Sequence, residues 1–253
     1  MSSLQWIEAD WPAPPGIVAG TTYRKGGVST GSYASLNLAA HVGDDATSVA
    51  TNRRRFISRC GLPEEPRWLA QVHGTKVVRA EEAVDGGEAD AVVTSAEDRV
   101  CAVLTADCLP VLFSSLDGDE IAAAHAGWRG LCDGVLEATV VTMSTPPPRL
   151  MAWIGPAISQ AAFEVGDEVR DAFLVTDRAA AVFFESNPLA RWQADLYGLA
   201  RLRLRNAGIH KIYGGGRCTF GESDAFFSYR RDARCGRMAT FIVRTSQGRN
   251  SSL

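Results

Sequence analysis

In TADCLPVLFSSLDGDEIAAAHAGWRG (residues 105–130) a cysteine, Cys108, follows the apolar run 100–105, and a histidine, His125, closes the apolar run 121–124. Short apolar runs bounded by turn residues read as buried strands. Two such strands, each stopping at a soft ligand or nucleophile, are expected to bring both side chains to one edge of a sheet, where sites are commonly built. Upstream, the strand-like run 67–72 leads to His73 in QVHG (71–74), a third group of the same kind.

C-terminal to this stretch, 131–143 has a helical pattern and stops before Pro146, Pro147 and Pro148, and 150–154 reads as a strand ending in GPAI. A helix is expected over 165–174 and a stronger one over 195–207, with Leu196, Leu199, Ala200, Leu202 and Leu204 apolar and Gly208 placed to end it. Two last strands, 225–230 and 238–243, would enclose the turn RDARCGR. On the N-terminal side, strands at 76–79 and 89–93 follow a hairpin-like break at His73, Gly74 and Thr75. Asp44 or Asp45 can cap a helix running to about Cys60, with Val49, Phe56, Ile57 and Cys60 on one face. WPAPPG (11–16) is extended, because proline fixes φ and lacks a donor, and regular structure is expected to begin after it with a strand at 17–23. Several hairpin-like pairs rule against a purely parallel sheet. The expectation is therefore an α/β fold, one domain over residues 1–253 with its core at about 17–245 and a mixed sheet covered by helices.

The composition, 253 residues with 46% hydrophobic and 22% charged, suits one large core, and no Pro/Ser/Gly linker divides it. A net charge of -3 with interspersed signs argues against a nucleic-acid or membrane surface and favours a small-molecule partner. The six cysteines are far apart and the N-terminus lacks a secretory pattern, so a reduced, cytoplasmic protein is expected. No apolar run approaches the roughly 18 to 20 residues of a membrane span. A monomer is expected, since no long amphipathic dimer element stands out.

Imidazole nitrogen and thiolate sulfur suit zinc or copper, and three protein ligands leave a fourth position open for catalysis. His73, Cys108 and His125 could form such a site, although the spacing alone is weak and a lone strand cysteine is usually a small buried hydrophobe. Asp107, beside Cys108, is a candidate acid or base, or else a turn cap before Pro110. Arg129 in HAGWRG offers a fork for an anion, or else a surface ion pair, and Gly127 can let the chain leave its strand in a conformation other residues resist. The loop 24–38 is rich in glycine and small hydroxyls and can approach a ligand closely; Arg24 and Asn37 flank it, with a solvated charge and a turn residue as the plainer alternatives.

The motifs QVHG (71–74), TADCLPVL (105–112), AAHAGWRG (123–130), IGPAI (154–158) and FFSYRRD (226–232) together resemble the YfiH/YlmD-like family. Its members are described as laccase-type multicopper polyphenol oxidoreductases and are also called purine nucleoside phosphorylase-like. TTYRKGGVS, SLNLAAHVGDD and the pair Asn52, Arg53 extend the resemblance over about residues 21–243. The family's last turn usually carries TGR, where this chain reads CGR (235–237).

The resemblance implies an α/β/α sandwich, also seen in some cysteine-dependent toxin deamidases, and a zinc site on His73, Cys108 and His125. It implies phosphorolysis of adenosine, inosine, guanosine and methylthioadenosine, and hydrolytic deamination of adenosine. Deamination suits an open metal site with a carboxylate to move the proton, for which Asp107 is the candidate. Phosphate could be met by Arg24, Arg129 or Arg230, and Gln71 and Asn37 join the candidate substrate contacts. Older labels imply copper-dependent phenol oxidation, yet four histidines, His41, His73, His125 and His210, are too few for a multinuclear copper cluster. A third reading is a metal-free hydrolase, such as a peptidoglycan-precursor editing amidase, with Cys108 as nucleophile and His125 as base. It has no obligatory use for His73.

Overall fold

The computed structural model describes residues 6–246. From the N-terminus run β1 (Trp6–Glu8), β2 (Ile17–Thr22), α1 (Ala46–Cys60), β3 (Val77–Arg79), β4 (Ala91–Thr94), β5 (Val100–Thr105), β6 (Leu109–Ser115) and β7 (Ile121–Ala126). There follow α2 (Trp128–Asp133), α3 (Val135–Thr142), β8 (Leu150–Ile154), β9 (Glu164–Val165), α4 (Asp167–Thr176), β10 (Phe184–Ser186) and β11 (Trp192–Ala194). The chain ends with α5 (Leu196–Asn206), β12 (Lys211–Gly214), α6 (Tyr229–Asp232) and β13 (Met238–Arg244). No helix among the described residues is long and apolar enough to cross a membrane.

The expected α/β/α sandwich with a mixed sheet is present, and its β layer is two sheets deep. One sheet is antiparallel, in the order β1-β2-β13-β5; the other is mixed, in the order β12-β8-β6-β7-β4-β3, with parallel pairs at both edges. Cys101, Val103 and Ile242 from the first sheet meet Val92, Leu112, Ala123 and Trp153 from the second between the layers. Phe56 and Cys60 of α1 cover the outer face of the first sheet, and α2 to α5 cover the second. The alternation of sheets explains why β5, β6 and β7 are buried along their whole length: both faces of each strand are covered.

Several boundaries differ from the sequence reading, each for a local reason. Structure starts before WPAPPG, because β1 pairs with β2. The run 67–72 joins no sheet beyond a bridge from Ala70 to Glu88: Ala70 N donates to Gly87 O, while Trp68 N goes to the Asp85 carboxylate and Val72 N to Asp90. Helix 131–143 is two helices, broken at Gly134 with φ 101°, a value glycine reaches at little cost. Glu164 and Val165 form a short strand ahead of α4. Residues 225–230 are not a strand, and Ser228 instead caps α6 by accepting from Arg231 N. The helix from Asp45 to Cys60 is as read, with the Asp45 carboxylate accepting from Ser48 N.

Candidate metal centre

Cys108 and His125 do not end two strands of one sheet. β5 lies in the antiparallel sheet and β7 in the mixed one, and Cys108 sits in the short link by which the chain crosses from β5 to β6. β6 then pairs with β7 so that Pro110 faces His125. His73 comes in from a turn, not a strand end, with φ 62°. The ligand atoms of the three residues lie within 4.8 Å of one another, and Cys108 Sγ is 3.7 Å from His73 Nε2. Bonds of ordinary zinc length at tetrahedral angles place sulfur and nitrogen about 3.6 Å apart, so the donor set fits a metal of that kind.

A buried carboxylate, Asp90, assembles this geometry. Its Oδ1 accepts from His73 N at 3.0 Å and lies 2.8 Å from His125 Nδ1; its Oδ2 accepts from Val72 N at 3.2 Å and Gly74 N at 2.8 Å. His73 is thereby held in a left-handed backbone conformation that histidine rarely adopts. With Nδ1 committed to Asp90, Nε2 is the His125 nitrogen left for a ligand, the usual carboxylate–histidine–metal order. Burial works against the Asp90 charge, but the bonds from His125, Gly74 and His73 outweigh it and keep its pKa below the ordinary carboxylate value.

The same contacts set the charge of the donors. Burial pushes the Cys108 thiol up, while His125 and His73 more than offset this and bring it to about 6. Burial pulls His125 down, and the Cys108 sulfur and Asp90 raise it to about 9. A thiolate at neutral pH is the form that binds metal or acts as a nucleophile. Gly127 matters through space rather than conformation: its φ of -60° is ordinary, but a Cβ there would lie 2.6 Å from the His73 ring and 3.2 Å from Cys108 Sγ.

The cluster forms the floor of a cavity of about 460 Å³, whose wall includes Gln71, Asp107, Ile158, Phe163, Tyr229 and Arg230. Of the residues proposed from sequence, the cavity thus gathers His73, Cys108, His125, Asp107, Gln71 and Arg230. Gln71 turns its amide to the backbone of Leu104, donating to O at 2.8 Å and accepting from N at 2.7 Å, and so clamps the segment below it. The Asp107 carboxylate accepts from Thr219 Oγ1, Ser228 Oγ and Arg230 N at 2.5, 3.0 and 2.7 Å, which holds its φ at 90°. Arg230 donates to Glu164 O and lies over Phe163.

Three candidates lie outside this cavity. Arg24 donates to the carbonyls of Ala34 and Ser223 and stacks over Phe227 beside a separate shallow pocket. Asn37 is fully buried and uses its amide on Ala39, Asp44 and Arg237 N. Arg129 is exposed, its guanidinium 4.3 Å from the Trp128 ring centroid, and is absent from the wall.

Comparison with known proteins places the chain in a family. Residues 18–245 match the family described as "Multi-copper polyphenol oxidoreductase laccase". The chain belongs to that family. It is 51% identical over 244 residues to the Escherichia coli protein named "Purine nucleoside phosphorylase YfiH", covering 96% of this chain and 99% of the relative. A Haemophilus influenzae protein named "Purine nucleoside phosphorylase" is 48% identical over 94% of this chain and 99% of its own length. Among solved structures, a Neisseria meningitidis protein of the DUF152 family superposes with TM-score 0.92 at 50% identity, covering 95% of this chain and 99% of that one. YlmD from Geobacillus stearothermophilus superposes with TM-score 0.86 at 33% identity, covering 97% and 100%.

Within this laccase-like family member, sequence reasoning missed Asp90, His41 and Arg237, the last two on the cavity wall. For Asp90 a signal existed: an acid inside the apolar run 89–93, where only a partnered charge is tolerated. The thiol of the CGR turn, Cys235, is buried, and Cys218, which accepts from Ser159 Oγ and Gly221 N, does not line the cavity.

Proposed function

We propose that this protein is a zinc-dependent purine nucleoside phosphorylase that also deaminates adenosine to inosine, with His73, Cys108 and His125 as the metal ligands. The observation that carries this reading is the mutual approach of those three donors, braced by Asp90, at the floor of a nucleoside-sized cavity. The names of relatives at about half identity support the phosphorolytic part. When bound, zinc would supply Lewis-acid polarisation and water activation. The chain's own residues do the rest. Asp90 fixes the His125 ring, Gln71 holds Leu104 in the wall, and Phe163, Ile158 and Tyr229 offer flat apolar surface for a purine. Arg230 lines the same wall, within reach of the sugar or the anion. In phosphorolysis a phosphate oxygen bonds to C1' as the C1'–N9 bond breaks, and the purine leaves with that electron pair. Asp107 is read here as a positioning residue, because its oxygens already accept three bonds from the scaffold.

Copper can occupy the same donors. Among the described residues, however, these three form the one group close enough to hold an ion, and His41 and His210 stand apart from it, which favours a single metal over a multinuclear cluster. Metal analysis of the purified protein, paired with an adenosine assay resolved into adenine, inosine and hypoxanthine with and without phosphate, tests the proposal. The expected result is about one zinc per chain, phosphate-dependent adenine and phosphate-independent inosine, all lost in His73→Ala. Metal-free His73→Ala that keeps its nucleoside turnover would overturn the metal dependence. A wild-type protein with neither metal nor nucleoside turnover, even after zinc is restored, would favour the Cys108/His125 hydrolase acting on an amide.

A further inference from the structure

The cavity above the metal donors shares His41, Gln71 and Leu104 with a neighbouring cavity of about 470 Å³ bearing Arg53 and Trp68. Positive charge gathers at this junction, and its members differ in how far they are already engaged. Arg53 donates to Leu38 O at 3.0 Å, lies over Trp68 at 4.5 Å and faces Glu65 at 3.8 Å. Arg237 has no carboxylate partner among the described residues. Its Nη1 donates to the carbonyls of Cys235 and Gly236 at 2.8 and 3.1 Å, which fixes the guanidinium plane. The Nε and Nη2 edge has no partner among the described residues. That edge is the two-donor fork that matches an oxyanion.

The position of Arg237 is built with care. Asn37 Oδ1 accepts from Arg237 N and from Ala39 N, both at 3.0 Å, so one buried amide ties the 235–237 turn to the loop that carries His41. At Gly236 a Cβ would lie 2.7 Å from Phe227 and 2.8 Å from the Asn37 Cβ, so only glycine permits this approach. His41 stands on the same wall, where burial and the guanidiniums of Arg237 and Arg53 hold it below its ordinary pKa. The acid on the first cavity's wall, Asp107, is engaged by Thr219, Ser228 and Arg230, and the acid of the second, Asp85, accepts from Trp68 N. Arg230 shares the first cavity's wall, lying over Phe163 with Nη1 donating to Glu164 O, whereas Arg237 lies 5.7 Å from the Tyr229 ring centroid and acts electrostatically on His41.

We propose that the junction of the two cavities is a phosphate site, in which the free edge of Arg237, with His41 beside it, binds inorganic phosphate as the co-substrate. This assignment rests on the phosphorolytic reading above. Asn37 is then a positioning residue, acting through Arg237 and His41.

The test measures inorganic phosphate binding to the metal-loaded full chain without nucleoside, by 31P NMR line broadening, in the wild type, Arg237→Gln and His41→Glu. Circular dichroism and metal content certify each variant. His41 makes no hydrogen bond among the described residues, so His41→Glu is the variant expected to fold even if Arg237→Gln does not. Phosphate affinity should fall about tenfold or more in each, as expected for a lost charge-assisted bond or an added anion. In turnover, the rise in phosphate KM should exceed the rise in nucleoside KM by about fivefold or more. Phosphate affinity unchanged within about twofold in a folded variant of either kind overturns the site. Phosphate binding that is lost in the variants of a protein with no phosphorolysis overturns the functional reading and leaves the anion site standing. Adenosine 5'-monophosphate separates the two sources of the anion: loss of its binding, with that of inorganic phosphate intact, assigns the junction to a nucleotide and overturns the co-substrate role.

Discussion

Asp90 and Asp107 are two buried carboxylates made alike and placed differently. Each gathers backbone and side-chain donors from distant segments, and each secures a non-glycine residue at positive φ, His73 in one case and Asp107 itself in the other. The donors on Asp90 belong to the segments that carry the metal ligands, so its charge orients His73 and His125. The donors on Asp107 come from Thr219, Ser228 and Arg230, so its charge ties the Cys108 link to the far wall. What a carboxylate does in a site follows from which groups fill its lone pairs, and proximity in sequence to a thiol is a poor guide to it.

The largest expected effect is at Asp90. Asp90→Ala leaves the His125 Nδ1–H and three backbone N–H groups without an acceptor in the interior, and removing one partner of a buried charge pair typically costs about 3–5 kcal/mol. Asp90→Asn keeps the volume but turns an NH2 toward two of the four donors. Its zinc affinity should fall by about 10- to 100-fold, measured by competition with a chromophoric chelator. Wild-type affinity in a folded Asp90→Asn protein would show that the ligands hold themselves, and the contrast with Asp107 would collapse.

Asp107→Asn should be far milder. The amide oxygen can still accept from Ser228 and Arg230 N, and the Thr219 hydroxyl can reverse to accept from the NH2. Thermal unfolding should drop by a few degrees, consistent with about 1 kcal/mol in a chain of this size. Deamination should fall less than about tenfold, whereas loss of a general acid or base costs about 10²- to 10⁴-fold. A loss in that range, with stability and zinc retained, would restore Asp107 as the proton-transfer group and sharpen the comparison in the opposite sense.

These two residues also mark the limits of reading the chain from its sequence. His73, Cys108 and His125 were legible because each lies at a break beside an apolar run, where a polar side chain needs a reason. For Asp90 the sequence signals a partnered charge but not its partners, since His125 is brought to it by pairing β4 with β7 and residues 72–74 by the Ala70–Glu88 bridge and the Asp90 N to Lys76 O bond. The double β layer was hidden by Pro110, which reads as a turn yet sits inside β6, where its carbonyl accepts from Gly155 N. The run 67–72 has strand composition, but Asp85 and Asp90 take the Trp68 and Val72 donors. The turn that carries Arg237 and the loop that carries His41 are joined through the buried Asn37, a link that no local pattern announces.

Arg129 supplies the smallest effect and a control on both aspartates. It follows the same HAGW motif as His125, and sequence alone offers it as an anion clamp. Its backbone starts α2 directly beneath the metal donors, yet the side chain lies exposed across Trp128, with no carboxylate partner among the described residues. Removing it deletes a solvent-facing cation–π contact, worth about 0.5–1 kcal/mol. Arg129→Ala should therefore leave zinc content unchanged and move the phosphate KM and kcat by less than about twofold. If position in the motif governed function, Arg129→Ala would match the Arg237 variant in its loss of phosphate affinity. If lone-pair and donor occupancy governs it, as for Asp90 and Asp107, a response is expected of arginines with an unoccupied edge at the cavity wall, Arg237 among them, and not of Arg129.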